Sequence, residues 1–562
     1  MIHPRSSSRW VAAAVALATC VGLALTQAPA PPSAAARATV STPRPAWSPC
    51  RDGFECATIY APLDYDQPDG VRVALSLIRL PAGNRAQRIG SLLLNPGGPG
   101  GSGVDFARGI AKFMPLELRG RFDIVGFDPR GIMRSTPLRC FDTFDQALSS
   151  TPDFAFPFTA SEERTQRRTD GALARACARH GGPILTQMST TDVARDMDLL
   201  RQSLGDSKVT YLGYSYGSFL GQVYANLFPK RVRALVIDGV LDPIAWTTGR
   251  GNEARTTPFV VRLHSDQGAS RTLGEFFRLC DAARSHCAFS GRSRQRYAAL
   301  AARLRRSPIE VQDPSGETFR VTYADLVGMT LGAMYDPVVW PDAAEALAEL
   351  EDSASAARLG RSFARLRSGL GLAAAAQELY PNFVEGFPSV ACSDSVNPRS
   401  FDAWRRAARG ADRQSAYFGR AWGWTASVCA QWSRSAGQDR YLGPWTARTS
   451  SPVLVVGNLF DPATRYQGAV TASRLLPSSR LLTYAGWGHT AYLGKGNFCV
   501  DDNVTRYLVT TRTPPVGTVC RAEGSPFGPT EANARARAAE RVSAVVSRAV
   551  LPPVVRSAVQ PR

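Results

Sequence analysis

The stretch GYSYG, residues 213–217, follows the apolar run VTYL (209–212) and precedes SFLGQVYANLFP (218–229), whose apolar residues recur at helical spacing. A sharp turn from strand to helix needs neighbours without bulk, which Gly213 and Gly217 supply. Such a turn holds the Ser215 hydroxyl out in strained exposure. The following helix points its positive end at the same place. Five positions alone match by chance, so the reading gains weight from its setting between an apolar run and a helix.

Outward from this turn, IGSLLLN (89–95), FDIVGFD (122–128), KVTYLG (208–213) and VRALVID (232–238) are apolar throughout, as parallel strands covered on both faces are. VRVALSLIRL (71–80) instead alternates, with Val71, Val73, Leu75 and Leu77 on one face, and is expected to pair with CATIYAPLDY (56–65). DVARDMDLLRQSLG (192–205) reads as a crossover helix, capped by Thr191 or Asp192 and stopped by Gly205. Alternation of this kind predicts an α/β sheet with right-handed crossovers. From Pro243 to Ser450 the chain turns helical and rich in Ala and Arg, as in RQRYAALAARLRR (294–306) and DAAEALAELEDSASAARL (342–359), with no comparable apolar strands. SPVLVVGN (451–458) and RLLTYAG (480–486) then resume the strand pattern. The expected division is a leader at 1–38, a first core part at 39–242, a helical insertion at 243–450, a second core part at 451–529 and a helical tail at 530–562. Insertions after sheet strands often carry the walls of a site.

A serine hydroxyl becomes nucleophilic when a base takes its proton. The chain has 5 histidines. His3 lies in the leader, His180 in a helical stretch, and His264 and His286 in the insertion, whereas His489 sits in the Gly-rich YAGWGHTAYLG just past a strand. His489 is therefore the expected base. The base needs a carboxylate to fix its tautomer. Asp461, just past the strand in VLVVGNLFDPATRY, is the expected partner; Asp242 in DGVLDP is the rival. The order Ser, Asp, His is that of an α/β-hydrolase. Amides for an oxyanion are expected from Gly98, in NPGGPGGSG (95–103), and from Tyr216 after the nucleophile. The glycine run lacks the GK[ST] ending of a phosphate loop.

The net charge of +19 does not imply nucleic acid. Lysine occurs only at 112, 208, 230 and 495, so nearly all 66 basic residues are arginines dispersed along the chain, with no basic stripe interleaved with aromatics. An acidic cell-envelope partner remains compatible with that charge. Arg5 and Arg9 precede an apolar run from Trp10 to Leu25 and an Ala- and Pro-rich tract, the layout of a secretory signal. The run falls short of the roughly 20 residues of a membrane span, and no other stretch approaches that length. In an exported chain the cysteines after Cys20 are expected as disulfides, with nearest-neighbour pairing giving Cys50–Cys56, Cys140–Cys177, Cys280–Cys287, Cys392–Cys429 and Cys499–Cys520. No cysteine or histidine cluster has metal spacing, so no metal is expected.

NPGGPGGSG, FDPRG, GYSYG, GNLFDPATRY and GWGHTAY, in this order, resemble the secreted actinobacterial tripeptidyl aminopeptidases and their prolyl aminopeptidase-like relatives among the α/β-hydrolases. The resemblance spans about Cys50 to Cys520. It implies a mostly parallel sheet flanked by helices under a large helical cap, release of short peptides from free N-termini, and no cofactor. It also implies Ser215 as nucleophile, Asp461 as orienting acid and His489 as base. Relatives commonly follow Asp-x-Arg-Gly with Gly-x-Gly-x-Ser, whereas here Asp128, Pro129, Arg130 and Gly131 lead into Ile132, Met133, Arg134 and Ser135; the missing second glycine bears on substrate preference. An exopeptidase must hold an ammonium group, and NFVEGFPSVACSDSV (382–396) offers Glu385 and Asp394, the latter resembling the Cys-x-Asp segment of the family. Trp422, Trp424 and Trp432 read as packed core residues or as walls of an apolar pocket. Two alternatives accompany the peptidase reading: an esterase using the same triad, and a non-catalytic envelope-binding protein on a hydrolase scaffold.

Overall fold

In the computed structural model, which describes residues 40–312, 318–352, 380–528, 541–545 and 551–555, a 10-stranded sheet runs in the order β1-β2-β3-β5-β4-β6-β7-β10-β11-β12. β1 (Ser48–Pro49), β2 (Glu55–Pro62) and β3 (Arg72–Leu80) form the antiparallel edge. β3 is also antiparallel to β5 (Phe122–Phe127). From β5 onward the sheet is parallel through β4 (Gly90–Asn95), β6 (Val209–Tyr214), β7 (Val232–Asp238), β10 (Val453–Phe460), β11 (Arg480–Trp487) and β12 (Val519–Arg521). The uninterrupted apolar runs are thus the strands buried on both faces. Leu212, Val236 and Val456 pack on one side, and Tyr211, Leu235 and Val455 on the other. The alternating run is β3, in the antiparallel part of the sheet between β2 and β5, where one face is covered less than in the parallel strands. Val71 precedes that strand and is exposed, not on its buried face.

The helix after β6, Tyr216–Leu227, lies close against its own strand. A Cβ at Gly213 would sit 2.4 Å from the Gly217 carbonyl, so this strand-to-helix crossing admits only glycine. The crossover helix before β6 spans Thr190–Ser203, and its cap is Ser189, whose hydroxyl accepts the Asp192 amide, rather than the expected Thr191 or Asp192.

Between β7 and β10 the chain builds helices over the carboxyl ends of the strands. Ser265–Ala283, Ser293–Arg306, Tyr323–Met334 and Trp340–Glu351 share a core of their own around the fully buried Trp340. That block also holds a short antiparallel hairpin, β8 (Ile309–Gln312) with β9 (Thr318–Val321), where only helices were expected. A second difference concerns helix Ala160–His180, which the sequence reading places with the first core part. Here it joins the insertion: Glu163 pairs with Arg409 and Arg420, and Ser427 donates to Asp170. Polar heptads without an apolar strand beside them carry little signal for where a helix docks.

Disulfides join Cys50–Cys56, Cys140–Cys177, Cys280–Cys287, Cys392–Cys429 and Cys499–Cys520. Such a set fits an oxidising compartment. Among the described residues no helix is long and apolar enough to cross a membrane. The expected leader at 1–38 and most of the expected tail helix lie outside the described residues, apart from a helical turn at 541–545.

Candidate active site

Every candidate catalytic residue stands at the carboxyl end of a parallel strand. Ser215 follows β6, Asp461 follows β10, His489 follows β11, and the glycine loop follows β4, the neighbour of β6. Ser215 has φ +55° and ψ −122°, a conformation that L-residues rarely adopt and that turns the side chain out of the sheet. Its amide donates to the Asp238 carbonyl at 2.8 Å, which fastens the elbow to β7.

His489 faces Asp461. Its Nδ1 lies 2.9 Å from both carboxylate oxygens, which places the ring proton on Nδ1 and leaves Nε2 as the acceptor. Nε2 is buried and has no described partner. Asp461 is itself held by the amides of Ala463 and Thr464, each at 2.8 Å, and by the Thr464 hydroxyl at 2.9 Å. That hydroxyl also lies 3.3 Å from Nδ1. Gly239 links the two halves of the site, because a Cβ there would come within 3.0 Å of His489 Cε1, and its predecessor Asp238 anchors Ser215. The Asp238 carboxylate accepts the amides of Ala491 and Tyr492 just beyond His489. Burial pushes its pKa up to about 6 against those two hydrogen bonds. Asp242, the rival acid, instead caps helix Pro243–Thr247 and pairs with Arg250.

On the other side of Ser215, Gly97 approaches so closely that a Cβ would lie 2.8 Å from the Tyr216 amide nitrogen and 3.0 Å from Ser215 Cβ. The Gly97 amide is taken by Asn95 Oδ1, and neither the Gly98 nor the Tyr216 amide has a described acceptor. Among the described hydrogen bonds none joins Ser215 Oγ to His489 Nε2; what the structure shows is two amides without acceptors next to Ser215 and a buried imidazole nitrogen without a partner on the loop after β11.

The two carboxylates expected to seat an ammonium are both buried and hydrogen-bonded to donors of the protein. Asp394 accepts from the Thr190 amide and hydroxyl and from Trp246 Nε1, and Thr190 in turn contacts the Tyr216 hydroxyl. Burial lifts its pKa to about 7. Glu385 turns toward the Cys140 amide and the Tyr380 hydroxyl. Helix Phe383–Asp394 directs the other side of its first turns, Phe383, Val384 and Phe387, at a cavity of about 150 Å3 that neither acid lines. The cavity begins at Gly98, Pro99 and Gly100. Of the three tryptophans, Trp424 lines it, while Trp422 and Trp432 are packed in the core. Asp170 of helix Ala160–His180 also lines it, a residue that nothing in its polar helical stretch singles out. Where the second family glycine would fall, Met133 takes φ +47°, and its amide is held by Asn382 Oδ1.

A sequence model of the alpha/beta hydrolase fold matches residues 90–262, and one described as TAP-like protein matches residues 415–520. Serine protease Hip1 of Mycobacterium tuberculosis is 32% identical over 501 residues, covering 84% of this chain and 90% of that protein. The chain belongs to the TAP-like α/β-hydrolase family. Two further relatives are similar over most of their length. Tripeptidyl aminopeptidase of Streptomyces lividans is 30% identical over 485 residues, covering 84% of each protein. Carboxylesterase B of M. tuberculosis is 34% identical over 516 residues, covering 86% of this chain and 91% of that one. The TAP-like and hydrolase-fold matches between them take in β4, β6, β10 and β11, the strands whose ends carry the site.

Proposed function

We propose that this chain is an exported serine peptidase that releases di- and tripeptides from free N-termini through an acyl-enzyme at Ser215. The carrying observation is the buried, unpartnered Nε2 of His489, whose Nδ1 is held by Asp461. In this reading Nε2 takes the Ser215 proton as Oγ attacks the scissile carbonyl. The amides of Gly98 and Tyr216 receive the developing oxyanion, each typically worth about 2.7–4 kcal/mol. The same nitrogen then protonates the leaving amine and activates the water that frees the acyl group. Relatives named as a serine protease and a tripeptidyl aminopeptidase support a peptide substrate. A relative named carboxylesterase favours the second reading, ester hydrolysis by the same groups.

The test is fluorophosphonate labelling with peptide mapping, followed by turnover of free and N-acetylated tripeptide arylamides and of short acyl esters. The expected result is a label on Ser215 and a strong preference for the free amine. Indifference to acetylation with fast ester turnover makes the protein an esterase. No label on folded protein returns it to the non-catalytic, envelope-binding class. The net charge of +19 supports retention by an acidic envelope polymer, which release from cell walls by salt would reveal.

A further inference from the structure

We propose that Asp170 is the seat of a substrate ammonium group, at the wall of the apolar cavity that opens from the Gly98–Gly100 loop. The inference rests on the hydrolase reading above and names what that site selects. Asp170 is 6% exposed and lines the cavity together with Phe154, Phe156, Leu173, Phe387 and Trp424. Its Oδ1 accepts Gln166 Nε2 at 2.8 Å and its Oδ2 accepts Ser427 Oγ at 2.5 Å. Both donors are neutral. A carboxylate has about four acceptor sites, so two hydrogen bonds leave capacity for another donor.

Among the described residues no cation pairs with Asp170, although arginines are abundant on the same helix and Glu163, seven residues earlier, is paired with Arg409 and Arg420. Burial without a countercharge lifts its pKa to about 7. A buried acid left without a cation at the edge of a cavity is stabilised in its charged form by a cation that arrives with the ligand. Aromatic and aliphatic walls select the rest of that ligand, an apolar group carried next to the charge. The same cavity is lined by Gly98, Pro99 and Gly100, and the glycine before them, Gly97, lies against Ser215, so a ligand seated on Asp170 shares its cavity with the loop beside the nucleophile.

The ammonium could belong to the peptide's own N-terminus or to a lysine side chain. The experiment compares wild type with Asp170→Asn on three arylamides of otherwise equal sequence: free N-terminus without lysine, acetylated without lysine, and acetylated with lysine. The expected result is that the wild-type preference in kcat/KM for an ammonium-bearing peptide over the uncharged one falls roughly 10- to 100-fold in the variant, the range of a hydrogen bond to a charged group. Collapse with the free-amine peptide assigns the α-amine, and collapse with the lysine peptide assigns the side chain. Preference retained in the variant for both overturns the proposal. Should the variant not fold, inhibition of the wild type by n-hexylammonium against n-hexanol decides: the cation is expected to inhibit at least about tenfold more strongly, and equal inhibition overturns the proposal. Ser215 labelling of the wild type reports separately on the hydrolase reading.

Discussion

A methyl group on residue 97 would stand 2.4 Å from the Tyr214 carbonyl oxygen and 2.8 Å from the Tyr216 nitrogen, at a φ of +96° that side-chain-bearing residues avoid. Gly97→Ala therefore moves the loop away from the nucleophile and takes the Gly98 amide with it. The expected loss in kcat is about 10²–10³, that of one oxyanion donor, read by steady-state kinetics on an arylamide or ester. Retention of full kcat would remove the loop from the chemistry. Asp394 gives a prediction of another kind. Its pKa is pushed up to about 7 by burial, above the ~3.9 of an unfolded chain. A raised carboxylate binds more protons folded than unfolded, so its contribution to stability is complete below about pH 4 and is lost as pH rises through about 7. Asp394→Asn removes that dependence, and melting curves should show the variant gaining on wild type between pH 5 and pH 8. The strand-end positions of Ser215, Asp461 and His489 and the pairing of the last two were legible because each follows an apolar strand in a Gly- or Pro-marked loop. Asp170, the proposed ammonium seat, was not, since a carboxylate in a polar helix looks like any solvated acid until a second segment buries it.

Asn382, at the start of helix Phe383–Asp394, is the latch between two elements. Its amide donates to the carbonyls of Gly131 and Leu138 at 2.7 and 2.9 Å, and its oxygen accepts the Met133 amide at 2.9 Å. The turn it grips carries Met133 in left-handed backbone, a conformation that disfavours a non-glycine residue by roughly 1–2 kcal/mol. The latch thus offsets what the missing glycine costs. Asn382→Ala leaves these buried groups unpaired, with an expected destabilisation of about 3 kcal/mol in urea unfolding. It also frees the face that presents Phe383 and Phe387 to the cavity, so KM for peptides should rise. A loss in stability with KM unmoved would separate the latch from the site. The strands themselves were readable from period and β-branching, whereas the docking of helix Ala160–His180 depended on partners more than a hundred residues away, and β8 and β9 are only four residues each with little apolar pattern.

Across the whole molecule, the disulfides close loops of 6 to 37 residues. Cys140 lies beyond β5 and Cys177 near the end of helix Ala160–His180, 37 residues on, so this bridge closes the segment that carries Asp170. Cys50 and Cys56 close a loop of only 6 at the antiparallel edge. In the chain-entropy account the stabilisation grows with the logarithm of loop length, and the longer bridge should contribute about 1.5 kcal/mol more than the shorter. The paired replacements Cys140→Ser with Cys177→Ser, and Cys50→Ser with Cys56→Ser, compare the two by denaturant midpoint. The edge bridge lies far from the cavity along the sheet order, beyond β3, β5 and β4, so its removal should lower stability with little change in kinetics. Removal of the longer bridge should lower stability further and also raise KM for ammonium-bearing peptides, because the helix bearing Asp170 loses its covalent tie to the loop after β5. Equal losses from both pairs, with kinetics unchanged in each, would mean that the cavity wall is held by its packing against Ser427–Ala430 alone.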